Sequence, residues 1–237
     1  MTVIYSSHAA AVATLTIDRP AEGNTLTIDM LRELSAAVRA AGATAAKAIV
    51  IRTNGPDFCL GRAPGAPSPT AMKMRANVCE PILDVYDAIA GARQPVIAVV
   101  QGRAHGFGAA MAGACDLTLA ADNARFRLPE MEKDLPPTLA ISALMARVPR
   151  KALTYMVYAM AEIDAPTALQ LGFVSTVAPL AGLDAALDKV LGAITVRSPE
   201  ALFAVKDFFR VAPQMEPRGA ADYGANLLAA VLSSAGK

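Results

Sequence analysis

The sequence predicts a mixed α/β protein whose last third is helical. Three observations carry this. Short runs rich in Val and Ile alternate with segments of helical period as far as residue 177. Strand-like runs are absent from the C-terminal third. The 237 residues are 54% apolar and 18% charged, which allows a sizeable core and excludes global disorder.

The elements follow in order. Residues 11–17 (AVATLTI) read as a strand, and Asp18 to Thr25 as a turn-rich segment. Thr27 is a natural cap for a helix from Ile28 to Ala41, whose apolar positions Leu31, Leu34, Val38 and Ala41 recur at helical spacing. Residues 48–52 (AIVIR) form a β-branched strand, and residues 54–69 are a loop dense in Gly and Pro. A long helix is expected over 70–92, kinked or split by Pro81. Val96 to Val100 (VIAVV) is uninterruptedly apolar and reads as a buried strand. A loop over 102–108 leads into a helix over 107–114, then a strand over 117–121 and a short extended piece over 126–128 that Pro129 ends. Helices are expected over 138–148, 150–160 and 165–171, with a strand at 174–177. Ser198-Pro199-Glu200 combines an N-cap, a first-turn Pro and a favourable first-turn acid.

The charge balance narrows function. The 22 basic and 21 acidic side chains give a net charge of +1 without a charge run, so neither nucleic acid nor a polybasic membrane contact is expected. The longest uncharged stretch, 165–183, is broken by Pro166, Gly172, Pro179 and Gly182, poor material for a membrane span. The N-terminus lacks the pattern of a secretory signal. Cys59, Cys79 and Cys115 are odd in number and scattered, which suggests a reducing, cytoplasmic setting. His8 and His105 have no Cys or carboxylate at metal-ligand spacing, and there is no Gly-x-Ser-x-Gly elbow.

Three stretches carry candidate chemistry. The strand at 96–100 runs through Gln101-Gly-Arg-Ala-His-Gly106-Phe-Gly108 into a helix, whose first N–H groups are unpaired and lie at the positive end of the dipole. Such a start can hold an oxyanion or a phosphate. The Gly spacing fits a dinucleotide fingerprint poorly, because Gly106-Phe-Gly108 lies several residues beyond the strand; a tight turn that needs only small residues is the plain alternative. In Asp57-Phe-Cys-Leu-Gly61-Arg62, Gly61 suggests a sharp turn that frees the Arg62 N–H. In Phe126-Arg-Leu-Pro-Glu130, a carboxyl held between Leu128 and Met131 would have a raised pKa suited to proton transfer near neutrality, unless Glu130 is simply on the surface.

Taken in order, these stretches resemble the crotonase, or enoyl-CoA hydratase/isomerase, superfamily. Leu15-Thr-Ile-Asp-Arg-Pro and Asn24-Thr-Leu26 are similar to its first strand and following Asn-x-Leu, and Ile49 to Gly61 to its second strand and first oxyanion loop. Gln94 to Gly108 with Cys115-Asp116 is similar to the second oxyanion segment, Phe126-x-x-Pro-Glu130 to the acid/base segment, and Ile163 to Val174 and Ser198 to Lys206 to the downstream helices.

The resemblance implies a spiral of ββα units over residues 1–180, a C-terminal helical oligomerisation region over 181–237, and a homotrimer or dimer of trimers. It implies an acyl-CoA thioester substrate, with coenzyme A part of that substrate and no other cofactor. By position, the backbone N–H groups of Arg62 and Phe107 would hold the thioester oxygen and Glu130 would be the acid/base. Leu26, Cys59, Leu60, Gly61, His105, Gly106 and Asp134 would line the substrate site. The family's hydratases use two glutamates, and the earlier one falls on Ala110. This leans the expectation toward double-bond isomerisation with Glu130 alone. The alternatives are a hydratase in which Glu132, Asp134 or another carboxylate substitutes, a thioesterase or decarboxylase, and a non-catalytic acyl-CoA-binding or scaffold protein. Asp134-Leu-Pro-Pro stands where Gly-rich sequence is usual, and the tail lacks the family's final aromatic and basic positions, so no residue is assigned to adenine or phosphate contacts.

Overall fold

The computed structural model describes residues 4–9, 11–65 and 70–234. Six strands form the larger sheet: β1 (Ile4–Ala9), β2 (Val12–Ile17), β3 (Ala48–Thr53), β4 (Val96–Val100), β6 (Leu117–Ala121) and β9 (Thr176–Ala178), adjacent in that order. The β1–β2 pair is antiparallel and every other neighbour is parallel. A smaller sheet joins β5 (Arg103–His105), β7 (Arg125–Arg127) and β8 (Ile163–Asp164). A single bridge from Cys59 to Ala104 extends it by one position.

The two sheets alternate along the chain. Two large-sheet strands are each followed by a piece of the small sheet and then a helix: β4, β5 and α4 (Phe107–Ala114), then β6, β7 and α5 (Thr138–Leu144). The continuous apolar run of β4 is explained by burial on both faces. Val96, Ala98 and Val100 join the main core. Ile97 and Val99 pack with Val50, Leu119, Leu183 and Leu187 on the opposite face.

Thr27 Oγ1 accepts from Met30 N and opens α1 (Ile28–Gly42), which buries Leu31, Leu34 and Val38. The segment expected as one kinked helix is α2 (Ala71–Met74), a π-helical turn (Arg75–Cys79) and α3 (Glu80–Gly91). Pro81 has no N–H and its ring crowds the preceding turn, so the wide turn falls just before it. α6 (Arg150–Tyr158) and α7 (Ala165–Gln170) follow α5. α8 (Leu183–Thr195) lies on the outer face of the large sheet, so the helical region after residue 180 begins packed on the core.

Ser198 Oγ caps α9 (Pro199–Val211), and α10 (Pro217–Ser234) ends the described chain. Lys206 fastens α9 to the core: its Nζ donates to Ile89 O (2.8 Å), Gln94 O (2.9 Å) and Asp116 Oδ2 (2.8 Å). Asp116 Oδ2 also accepts from Val96 N at 2.7 Å.

Several expected boundaries shift. β1, β5 and β8 were not evident in the sequence, and β5 lies inside the expected loop 102–108. The expected helix over 138–148 ends at Leu144, that over 150–160 at Tyr158, and the strand expected at 174–177 is Thr176–Ala178. β5 and β8 have three and two residues, too few to show a period, and tertiary pairing alone makes them strands.

Candidate active site

The loop after β3 is held from three sides. Asn24, buried with φ 53°, donates through Nδ2 to Asn54 O (2.9 Å) and Asp57 O (2.7 Å), and its Oδ1 accepts from Arg19 N (2.8 Å). The Asp57 carboxylate accepts from Arg103 N (3.0 Å), Nε (2.9 Å) and Nη2 (2.7 Å). Those bonds hold its pKa below the usual carboxylate range, against the opposing effect of burial. Cys59 N donates to Arg103 O (3.1 Å) and His105 N to Cys59 O (2.9 Å). The N-terminal Asn, the first loop and β5 are thereby tied together.

The freedom of the Arg62 N–H follows from ladder geometry. Leu26 bridges Arg62 in parallel: Leu26 N donates to Gly61 O (3.1 Å) and Ala63 N to Leu26 O (2.8 Å). This pattern uses both main-chain groups of Leu26 and only the neighbours of Arg62. The N–H of Arg62 is therefore directed away from Leu26 and donates to none of the backbone acceptors around this bridge.

The second candidate amide lies at the start of α4. Phe107 is its first residue, so its N–H has no intrahelical partner and sits at the positive end of the helix dipole. Gly106 precedes it with φ 52° and ψ −118°, a conformation open to glycine only, and its own N–H is taken by Arg127 O at 2.9 Å. The loops approach closely: a Cβ on Gly108 would stand 2.1 Å from Cys59 O. A Cβ on Gly61 would stand 3.4 Å from His105 O and 4.0 Å from Phe107 N, so the two amide-bearing segments are adjacent.

Glu130 opens the short 3-10 turn after β7 and Pro129. Its side chain turns inward. A Cβ on Gly106 would lie 2.9 Å from Glu130 Oε1, so the carboxyl occupies the space that glycine leaves open. Oε2 is sealed from solvent with no hydrogen-bond partner. Burial raises the Glu130 pKa above its ordinary value.

The remaining expected residues are distributed as follows. Leu26, Cys59 and Gly61 are buried around the loop and Leu60 is half-buried, its side chain beneath Gly23. The Cys59 thiol, pushed up to about 12 by burial, is un-ionised near neutrality. The half-buried His105 faces its neighbours differently with backbone and side chain: the carbonyl lies by Gly61, while Nε2 is 3.0 Å from Glu162 Oε2. Burial lowers the His105 pKa and Glu162 opposes that effect. Asp134 is exposed, at φ 52°, where it ends the 3-10 turn. Glu132 is exposed and paired with Arg127. Ala110 is fully buried one turn into α4, its N–H donating to Gly106 O at 3.0 Å.

Sequence reasoning did not single out Tyr86. It comes from the buried face of α3, and its ring lies 5.9 Å from that of Phe107 with 17° between planes. A polar-tipped aromatic at a helical core position was the available signal. Among the described residues, no group of three His, Cys, Asp or Glu is placed to hold a metal ion, and no helix is long and apolar enough to cross a membrane.

The fold and the segments gathered at the start of α4 are those of a crotonase-fold protein. The sequence model of the enoyl-CoA hydratase/isomerase family matches residues 7–234, and the chain belongs to that family. It is 31% identical to the 2,3-dehydroadipyl-CoA hydratase of Escherichia coli over 215 residues, 89% of this chain and 82% of that protein. A solved enoyl-CoA hydratase of Mycobacterium smegmatis superposes with a TM-score of 0.92 at 26% identity, covering 98% of this chain and 91% of that one. The human enoyl-CoA hydratase domain-containing protein 3 shares the fold, with a TM-score of 0.93 at 24% identity over 98% of this chain and 92% of that one.

Proposed function

We propose that the chain moves the double bond of an enoyl-CoA thioester, with Glu130 as the only acid/base and the N–H groups of Arg62 and Phe107 as the oxyanion donors. The carboxylate of Glu130 removes a proton from C2 of a 3-enoyl-CoA. Negative charge passes to the thioester oxygen, which accepts from the two amides. The Glu130 carboxyl then returns the proton to C4, and the double bond finishes between C2 and C3. No cofactor is required beyond the coenzyme A of the substrate. Each preorganised donor of this kind is worth about 3–4 kcal/mol in transition-state stabilisation, and a positioned carboxyl about 10²–10⁴-fold in rate.

One observation carries the preference for isomerisation. Glu130 is inward-facing with a raised pKa, whereas the position one turn into α4 is a fully buried alanine. One carboxyl suffices to shuttle a proton between two carbons; adding water calls for a second group to activate it. Hydration is the second reading, favoured by the hydratase names of relatives. Its substitute bases are poorly supported, since Glu132 is engaged by Arg127 and both Glu132 and Asp134 are exposed.

The test is turnover of 3-enoyl-CoA against hydration of 2-enoyl-CoA, with Glu130→Gln as control. Isomerisation exceeding hydration, and lost in the variant, is expected. Hydration exceeding isomerisation would replace this reading with the second, and binding without turnover across a thioester panel would favour a scaffold role.

A further inference from the structure

α3 brings to the site a group that the proton-transfer scheme does not use. Tyr86 is 8% exposed, with its ring stacked on Phe107, the residue whose N–H is the second candidate donor. Its phenol makes no hydrogen bond among the described residues and senses the charge of Glu130. Burial, with Glu130 adding to it, drives the phenol far above ordinary tyrosine, so it stays a neutral donor at any working pH. Glu130 Oε2 is likewise unpartnered, and it is sealed from solvent. A sealed acceptor without a partner calls for an explanation, and the Tyr86 phenol is a neutral donor close enough to feel its charge.

Among the described residues, α3 contributes Tyr86 to the surroundings of Glu130, and the un-ionised Cys59 thiol of the loop after β3 lies by that phenol. The start of α4 contributes only main chain, at Gly106. On Glu130's own segment, Arg127 and Glu132 pair with each other. His105 is paired with Glu162.

We propose that Tyr86 is a positioning residue for Glu130. Its hydroxyl donates to Oε2, directly after a small side-chain rotation or through one water, and holds the carboxyl in the orientation that proton transfer needs. The inference rests on Glu130 being the proton carrier. It adds that a hydroxyl on a helix earlier in the chain sets both its orientation and its protonation.

Tyr86→Phe keeps the ring and its stack while removing only the hydroxyl. Glu130 is followed in the full chain, without turnover, by the carboxyl infrared band on pH titration, assigned by its loss in Glu130→Gln. The expected result is a titration midpoint moved to higher pH in Tyr86→Phe, with the protonation constant raised about three- to tenfold. Isomerase kcat should fall about five- to fiftyfold, with KM unchanged within about twofold. The acid limb of the rate profile should move with the band. An unmoved midpoint overturns the proposal, and so does a rise in KM alone, which would make Tyr86 a substrate contact. A moved midpoint in a chain that isomerises nothing would leave Tyr86 tied to Glu130 and overturn the activity instead.

Discussion

Replacing Gly106 by alanine should damage the site more than the fold. At φ 52° and ψ −118°, a residue with a Cβ is strained by about 2 kcal/mol. For a chain of this size that corresponds to a fall of about 4–8 °C in Tm. The new methyl would stand 2.9 Å from Glu130 Oε1 and 3.6 Å from its Cδ, closer than carbon and oxygen pack. The carboxyl is the far end of a flexible side chain, so it will move rather than break the backbone. A displacement of about 1 Å at a reacting group costs about 10²-fold in rate. Gly106→Ala should therefore fold, melt a few degrees lower, and lose about 100-fold in kcat for isomerisation. Gly91→Ala is the control: a Cβ there meets nothing within 4 Å and the residue is helical, so kcat should be unchanged and Tm should not fall. Calorimetry and steady-state kinetics read both. A Gly106→Ala chain with wild-type kcat would refute the placement of Glu130 against this glycine, and an unchanged Tm would refute the backbone strain.

Three further outcomes follow from the geometry. Asn24→Ala removes three hydrogen bonds, one fully buried and two partly buried, that anchor the first loop and should destabilise the chain by about 2–3 kcal/mol in urea unfolding; a loss under about 0.5 kcal/mol would show that the loop is held otherwise. Glu130 has a raised pKa, so the folded state prefers it neutral: no penalty exists below its unfolded pKa, and the penalty grows as pH rises through the folded pKa. Glu130→Gln should accordingly equal the wild type in stability at acid pH and exceed it increasingly as pH rises, and the opposite trend would mean that partners of the carboxylate outweigh its burial. Cys59 and Cys115 are buried, with thiols pushed up to about 12, so brief iodoacetamide treatment of the native protein at about pH 8 should label Cys79 alone. Labelling of Cys59 at a similar rate would contradict the packing of its loop.

What the sequence made legible was local. Thr27 and Ser198 marked helix starts through side-chain caps that need no tertiary information, and both accept the expected backbone N–H. The VIAVV run announced a strand buried on both faces because its apolar residues had nowhere else to go. The short strands of the smaller sheet were hidden, since two or three residues carry no period and gain their state from partners far along the chain. At the site, Gly61, Gly106 and Glu130 were visible as punctuation around helix and strand ends. That Gly61 lies beside Phe107 is a product of loop pairing through Cys59 and Ala104, which no local pattern encodes. Neither Tyr86 nor the Asp57–Arg103 pair stood out in the sequence, because their meaning depends on what α3 and β5 face.

A crystal structure of the Glu130→Gln chain with a bound enoyl-CoA would bear most directly on the whole account. The thioester oxygen should lie about 2.7–3.1 Å from the backbone nitrogens of both Arg62 and Phe107, with the side-chain amide that replaces the Glu130 carboxyl lying between the α and γ carbons. A thioester oxygen in contact with neither nitrogen, or an acyl chain running away from position 130, would contradict it.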